Sequence, residues 1–381
     1  MAQDCDITVL TQKKNQPRIE KWLSENGDQP TIHFEYHDVP SFPQRLKKVS
    51  ALFNQLYYLR WQATATKRVE EIAKERSIDF MHHVTYASFR YPVIKTDLPV
   101  LWGPIGGAEM APKHLLFRHG KLVGVVRELC RNVLTTLALK SLGRICPVTA
   151  SKGLVLASTP KMRNDLSVRT IPAELFPTIG IETDLPDRSE SERLRSHDGS
   201  LKLLYVGRIH PLKGLHLVLE AMEKLADKRV SLTIIGSGSD RGRLESLVKK
   251  FDLSEQVSFA GYVDRSELED WFESHDVLVA PSLYESGGMS VLEAGMREMP
   301  ALVLDCGGHS LSVIEGGGVK VDPTLPVEEV IAELAGAMND YREDRTLIGR
   351  HGKRLMAHLE SAYDWRRKRL SMLEIYQKLL R

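Results

Sequence analysis

The chain's second half alternates apolar segments of strand length with helical segments, and its junctions are rich in glycine. The sharpest junction runs from the apolar Val277-Leu278-Val279-Ala280 through Pro281-Ser282. It continues into Tyr284-Glu285-Ser286-Gly287-Gly288-Met289-Ser290-Val291-Leu292-Glu293. This spacing predicts a buried strand, a glycine-rich turn and a helix beginning near Gly288. Glu285 then sits on the loop, with Glu293 about a turn and a half into the helix. Unpaired backbone N–H groups at such a helix start suit a phosphate or a polyhydroxylated ligand.

The same alternation recurs along the chain. Strands are expected over residues 6–10, 32–36, 79–81, 98–102 and 154–158, with helices over 19–23 and 46–73. After a polar stretch at 181–199, strands are expected over Leu201–Val206, 231–235, 257–259, Val277–Ala280 and Ala301–Leu304. Helices over 215–226, 241–251 and 267–273 separate them, and three further helical stretches follow, the last at about 363–380. Strands that alternate with helices imply parallel sheets with crossovers. The expected fold class is therefore α/β, with two Rossmann-like domains facing each other across a cleft. Their bounds are 1–182 and 198–362, and the helix at 363–381 joins the first domain. In such sheets ligands bind at the strand C-termini.

Length and composition narrow the function. At 381 residues the chain has room for two cores. A net charge of +2 argues against wholesale nucleic-acid binding. The four cysteines, Cys5, Cys130, Cys146 and Cys306, form no CxxC pair, so neither a disulfide framework nor a zinc site is suggested. A cytoplasmic location is the simplest expectation. No apolar run approaches the roughly 18–20 residues of a membrane span, and residues 1–20 lack the pattern of a signal peptide.

Three further segments carry chemistry. Gly207-Arg208-Ile209-His210-Pro211-Leu212-Lys213-Gly214 places Arg208 on a loop and Lys213 at the mouth of the next helix. Two fixed cations there favour a diphosphate, and no GK[ST] closes the loop as a Walker motif would require. Trp102-Gly103-Pro104-Ile105-Gly106-Gly107-Ala108-Glu109 sets glycines just after a buried strand, where backbone can approach a ligand closely, or simply turn tightly. Residues 113–144 hold seven Lys/Arg against one acid, Glu128, interleaved with leucines and valines. Either an anionic membrane surface, as a peripheral contact on the inner face of the plasma membrane, or an ordinary solvated helical pair fits that composition.

Gly207-Arg208…Lys213-Gly214, Pro281-Ser282…Glu285…Glu293-Ala294-Gly295 and Gly307-Gly308 together resemble the signature of retaining GT-B glycosyltransferases of group 1, family 4. The resemblance covers essentially the whole chain. His82-His83-Val84-Thr85 and the Trp102–Glu109 segment are similar to a bacterial subgroup linked to surface-polysaccharide or glycolipid synthesis. The resemblance implies a nucleotide-sugar domain at 198–362 and an acceptor-side domain at 1–182. It implies that Arg208 and Lys213 hold the diphosphate of a UDP- or GDP-sugar and, with Glu285, form the catalytic set. Glu293 would accept hydrogen bonds from the ribose, and Glu285 would contact the transferred sugar. Gly207 and the backbone of Gly287, Gly288, Met289 and Ser290 would line the donor, while Gly106 and Gly107 would approach it from the other domain. The acceptor would be a glycan or a lipid-linked molecule, with no cofactor and no metal, and same-face attack would retain the anomeric configuration.

The resemblance also implies that the strand at 6–10 corresponds to the family's second strand, the first β-α unit being absent. His82, His83 and Glu109 are the candidate acceptor or sugar contacts, against a structural reading in which the histidines close a strand. His210 is a candidate for a backbone or phosphate role. Two other functions stay open: a GT-B epimerase acting on a sugar nucleotide without an acceptor, and a shortened relative that binds nucleotide with weak or no transfer.

Overall fold

The computed structural model describes residues 1–27, 29, 31–39, 51–84, 89–90, 96–118, 122–145, 153–183 and 199–381. All of its strand pairs are parallel, as helical crossovers require.

The first domain begins with β1 (Ile7–Thr11), α1 (Gln16–Asn26) and β2 (Ile32–Tyr36), which pair as a two-stranded sheet. The long helix α2 (Ala51–Arg76) follows. Its Tyr57, Tyr58, Trp61 and Ala65 are buried against Leu10 of β1 and Met81 of the next sheet, so one helix covers both sheets. That second sheet has the order β3 (Met81–His83), β4 (Val100–Ile105), β5 (Gly153–Ala157) and β6 (Ala173–Leu175). Between β4 and β5 lie α3 (Lys113–Phe117) and α4 (Leu122–Ile145); α5 (Pro160–Ser167) links β5 to β6.

Strand β3 starts two residues later than the sequence predicts. The chain leaves α2 through Ser77 in a left-handed conformation (φ 51°), and Ile78 still donates to the helical carbonyl of Ala73. Strand β6 escapes prediction because three residues, one of them Glu174, offer no apolar run. The expected helix start at 46–50, Thr85 of the histidine motif, and the linker residues 184–198 lie outside the described residues.

The second domain holds six strands in the order β12-β11-β10-β7-β8-β9. They are β7 (Leu201–Val206), β8 (Val230–Ile235), β9 (Val257–Gly261), β10 (Val277–Ala280), β11 (Ala301–Leu304) and β12 (Gly318–Val321). Side chains alternate across such a sheet. Leu201, Leu203, Tyr205, Val277 and Val279 enter one core, with α6 (Leu215–Leu225), α7 (Arg241–Lys250) and α11 (Val327–Glu343). Leu204, Leu278, Ala280 and Ala301 enter the opposite core, with α9 (Met289–Gly295) and α12 (Thr346–Ala362). The remaining helices are α8 (Leu268–Ser274) and the single turn α10 (His309–Ser312).

Strand order reverses direction between β7 and β10, so their C-terminal loops diverge and leave a crevice. The last helix, α13 (Trp365–Leu380), returns to the first domain, where Met372 and Ile375 pack on Leu101 of β4 and Leu156 of β5. The chain therefore crosses between domains twice, and the crossings are zipped together. Ile181 N–H donates to the Tyr363 carbonyl at 2.9 Å, and Trp365 N–H donates to Ile181 at 3.2 Å. The Thr183 hydroxyl donates to Asp364 at 2.5 Å.

Candidate functional site

The crevice between β7 and β10 is where the sequence motifs converge. After β7, Gly207-Arg208-Ile209 leads into a 3₁₀ turn over Pro211–Lys213, capped by His210, whose Nδ1 accepts from Leu212 N–H at 3.2 Å. Gly214 ends that turn at φ 67°. A Cβ there would lie 2.0 Å from the Pro281 carbonyl oxygen, so only glycine lets the β7 loop meet the β10 loop this closely. The contact carries Lys213 across to Glu285, and Nζ and Oε2 are 2.5 Å apart.

Glu285 is held from the other side as well. Its Oε1 accepts from its neighbour Ser286 N–H at 3.1 Å, and its carbonyl accepts from Gly308 N–H at 3.0 Å. Gly307, at φ 56°, passes so near the Glu285 carbonyl that a Cβ would sit 1.9 Å from it. Burial alone would raise the Glu285 carboxyl. Lys213 and the Gly287 amide outweigh it and hold the group below its ordinary value. Glu285 is therefore an anion at neutral pH. Helix α9 begins at Met289 behind Gly288 (φ 79°), with no side-chain cap on its first turn. That leaves first-turn N–H groups beside the Lys213–Glu285 pair.

Arg208 lies exposed on the same loop, and its carbonyl accepts from the Tyr205 hydroxyl at 2.8 Å. The His210 imidazole is pushed down, by burial first and then by Arg127, with Arg208 and Lys213 adding to the effect. The loop thus presents a cationic end of the crevice. Glu293 sits farther along α9, where an exposed guanidinium, Arg265, reaches it at 3.1 Å. Burial raises the Glu293 carboxyl, and Arg265 and Arg297 only partly offset that rise.

The first domain brings Gly106, Gly107 and Glu109 to the same region. Gly106 packs on Ser158, whose hydroxyl oxygen would be 2.6 Å from a Cβ at that position. Buried Glu109 accepts from Thr159, and also from the Gly107 amide at 3.3 Å. The partly buried Cys306 thiol is pushed up to about 12, by desolvation first and then by Glu285, Asp305 and Glu109. Carboxylates of both domains therefore surround one thiol.

The two histidines of the first-domain motif are engaged by protein. His82 Nδ1 bonds the Tyr376 hydroxyl at 2.8 Å and Nε2 bonds the Gly103 carbonyl at 2.9 Å. His82 thus ties the Trp102–Glu109 turn to α13. His83 is buried with Nε2 2.9 Å from the Tyr58 hydroxyl of α2.

Sequence reasoning missed His309 and Arg131. His309 is buried beside Gly288, where its ring edge would be 2.8 Å from a Cβ. Burial pushes the imidazole down to about 4, so it is neutral. Its position just after Gly307-Gly308 was the available signal. Arg131, on α4, reaches across the domains to the Tyr284 ring, 4.5 Å from its centroid. Only the tertiary fold reveals that pairing. Among the described residues no group of three or more His, Cys, Asp or Glu side chains is placed to hold a metal ion.

Residues 187–354 match the family model "Glycosyl transferases group 1". The chain is similar to glycogen synthase of Mycobacterium tuberculosis, 30% identical over 185 residues, which are 48% of this chain and 44% of that protein. It thus spans less than half the length of this curated relative. Among solved structures it is similar to a glycosyltransferase from Rickettsia africae (14% identity, TM-score 0.61, 99% of each chain). It is also similar to Anabaena Alr3699/HepE in complex with UDP (13% identity, TM-score 0.58, 98% of this chain and 100% of that one). With the parallel sheets described above, these likenesses establish the fold as GT-B.

Proposed function

We propose that the protein is a retaining glycosyltransferase that moves a sugar from a nucleoside diphosphate donor to a glycan or lipid-linked acceptor. The setting would be synthesis of cell-surface polysaccharide or glycolipid. The observation that carries this reading is the Lys213–Glu285 pair, fixed at the reversal between β7 and β10 by Gly214 and Gly307. The family match over residues 187–354 supports it, as does the UDP named for the Anabaena structure.

In this reading Arg208 and Lys213 bind the diphosphate and neutralise the charge that develops as it leaves, without a metal ion. The first-turn amides of α9 add donors to the same anion. Glu293 exchanges its exposed Arg265 partner for the ribose hydroxyls. Arg265 is exposed and free to swing away, while Glu293 stays largely buried in place. Glu285, kept ionised by Lys213, accepts hydrogen bonds from the transferred sugar. Gly106 and Gly107 close on the donor from the first domain, and Glu109 faces the acceptor. The acceptor hydroxyl attacks from the face that the diphosphate leaves, and a phosphate oxygen takes its proton.

Calorimetry of UDP and GDP binding tests the donor site. Lys213→Ala and Glu293→Ala are each expected to weaken the preferred nucleotide by tenfold or more. Unchanged affinity in both variants would remove the assignment. Single-turnover assays with the matching sugar nucleotide should lose about 100- to 1,000-fold in rate with Lys213→Ala. Conversion of the sugar nucleotide to an isomer without any acceptor would instead establish an epimerase.

A further inference from the structure

Helix α4 leaves an apolar stripe on its outer face. A surface helix ordinarily turns its apolar stripe to the core and its polar face to water. Here the inward face carries Glu128, Asn132 and Thr135, which are 6%, 5% and 0% exposed, between the buried Val125 and Leu139. Outward-facing Val126, Val133, Leu134 and Leu137 are 49%, 58%, 60% and 57% exposed, and Cys130 is exposed with them. Positions 126, 130, 133, 134 and 137 form one stripe over three turns.

The inward polar groups are satisfied, which fixes the helix in this orientation. Arg131 donates to Glu128, at 2.7 Å through Nε, and to Asn132 Oδ1 at 3.3 Å. The Thr135 hydroxyl donates to the Arg131 carbonyl at 2.8 Å. Turning the apolar face inward would break this network.

Charge then says what can cover the stripe. Helical geometry sets exposed Arg127 at one edge and exposed Lys140 at the other. The one acid of residues 113–144, Glu128, is withdrawn to the inward face and bound by Arg131. The outer surface is therefore apolar and cationic, with no acid to balance it. A second copy of the same face would set like charges against each other. A bilayer with anionic headgroups supplies both an apolar boundary and the opposite charge.

We infer that the outer face of α4 docks on an anionic membrane surface, with the helix lying in the plane of the interface. No helix among the described residues is long and apolar enough to cross a membrane. On the flank beyond Arg127 the same helix presents Arg131 to Tyr284, next to Glu285. The helix that would meet the lipid thus also borders that end of the crevice, which suits an acceptor anchored in the same bilayer, a consequence that rests on the transfer reading above.

Co-sedimentation of the full chain with phosphatidylcholine vesicles, with and without phosphatidylglycerol, tests the surface. Binding is expected to the anionic vesicles at low salt and to weaken as salt rises. Lys140→Gln should lower it by about fivefold, the equivalent of about 1 kcal/mol for one charge. Val133→Asp with Leu137→Asp should abolish it while leaving the melting temperature and UDP or GDP binding unchanged, because both side chains are exposed. Failure of the parent to bind anionic vesicles at low salt would overturn the inference, as would equal binding by every variant. A parent dimer that the aspartate pair splits, seen by light scattering, would assign the stripe to a second copy and overturn it too. Nucleotide affinity measured on the same variants separates these outcomes from any failure of the donor-site reading.

Discussion

Single residues at the crevice are constrained by backbone as much as by charge. Gly214 combines φ 67° with a Cβ position 2.0 Å from a carbonyl oxygen, so Gly214→Ala adds strain and forces two loops apart. A loss of at least about 2 kcal/mol in urea unfolding is expected, together with weakened nucleotide binding as Lys213 is displaced. Lys368 offers a test of a different kind. Its ammonium is buried over the Phe176 ring, donates to the Pro177 carbonyl at 2.7 Å, and is pushed down by burial from 10.5 to about 8. Between those two values the unfolded chain binds a proton that the folded chain has released, so this residue's contribution to stability rises with pH across the window. Below pH 8 the penalty is fully present. Lys368→Met is therefore expected to stabilise the protein by roughly 1–3 kcal/mol at pH 7, with the gain shrinking toward pH 10.5. Parallel urea titrations of both proteins at pH 7 and pH 10 check it, and a difference independent of pH would refute it.

At the level of elements, much was legible in the sequence, for a physical reason. Strands of the second domain are buried on both faces, so Val277–Ala280 and Ala301–Leu304 read as unbroken apolar runs between glycine turns, and their observed bounds match. Strand β12 escaped because Lys320 interrupts it and glycine opens it. The partnership of Lys213 with Glu285 lies 72 positions apart in sequence. No spacing rule joins such positions; only the strand order does. The stacking of Arg131 on Tyr284 is equally hidden, since α4 reads as an ordinary basic helix until its burial pattern is known. Ile179, on the first crossing, lies 3.1 Å from where a Gly287 Cβ would be, so the crossing strand packs on the site loop. Gly287→Val is expected to push that loop off Ile179 and to weaken donor binding by about tenfold with little loss of fold, measured by calorimetry beside a thermal melt.

Across the whole molecule, the two domains are pinned by a short docking segment. Leu115 and Ala111 of the first domain are buried in the second domain's core. Arg118 bridges Glu220 of α6 and Glu328 of α11, each at 2.7 Å, and His114 Nε2 lies 2.9 Å from the Leu325 carbonyl. Arg118→Glu would set an acid against the buried Glu220 and is expected to cost about 1–3 kcal/mol. It should also loosen the pairing of the domains, seen as a larger radius of gyration in solution scattering. A scattering profile identical to the parent's would show that Arg118 is not needed to hold them together. The return of α13 to the first domain has a consequence for synthesis. Leu101 and Leu156 stay uncovered on the nascent chain until Met372 and Ile375 have left the ribosome. Roughly 200 residues separate those events, which is about 10–40 s of translation. The first half to be made is thus the last to be finished, and for that interval its sheet is a client for chaperones.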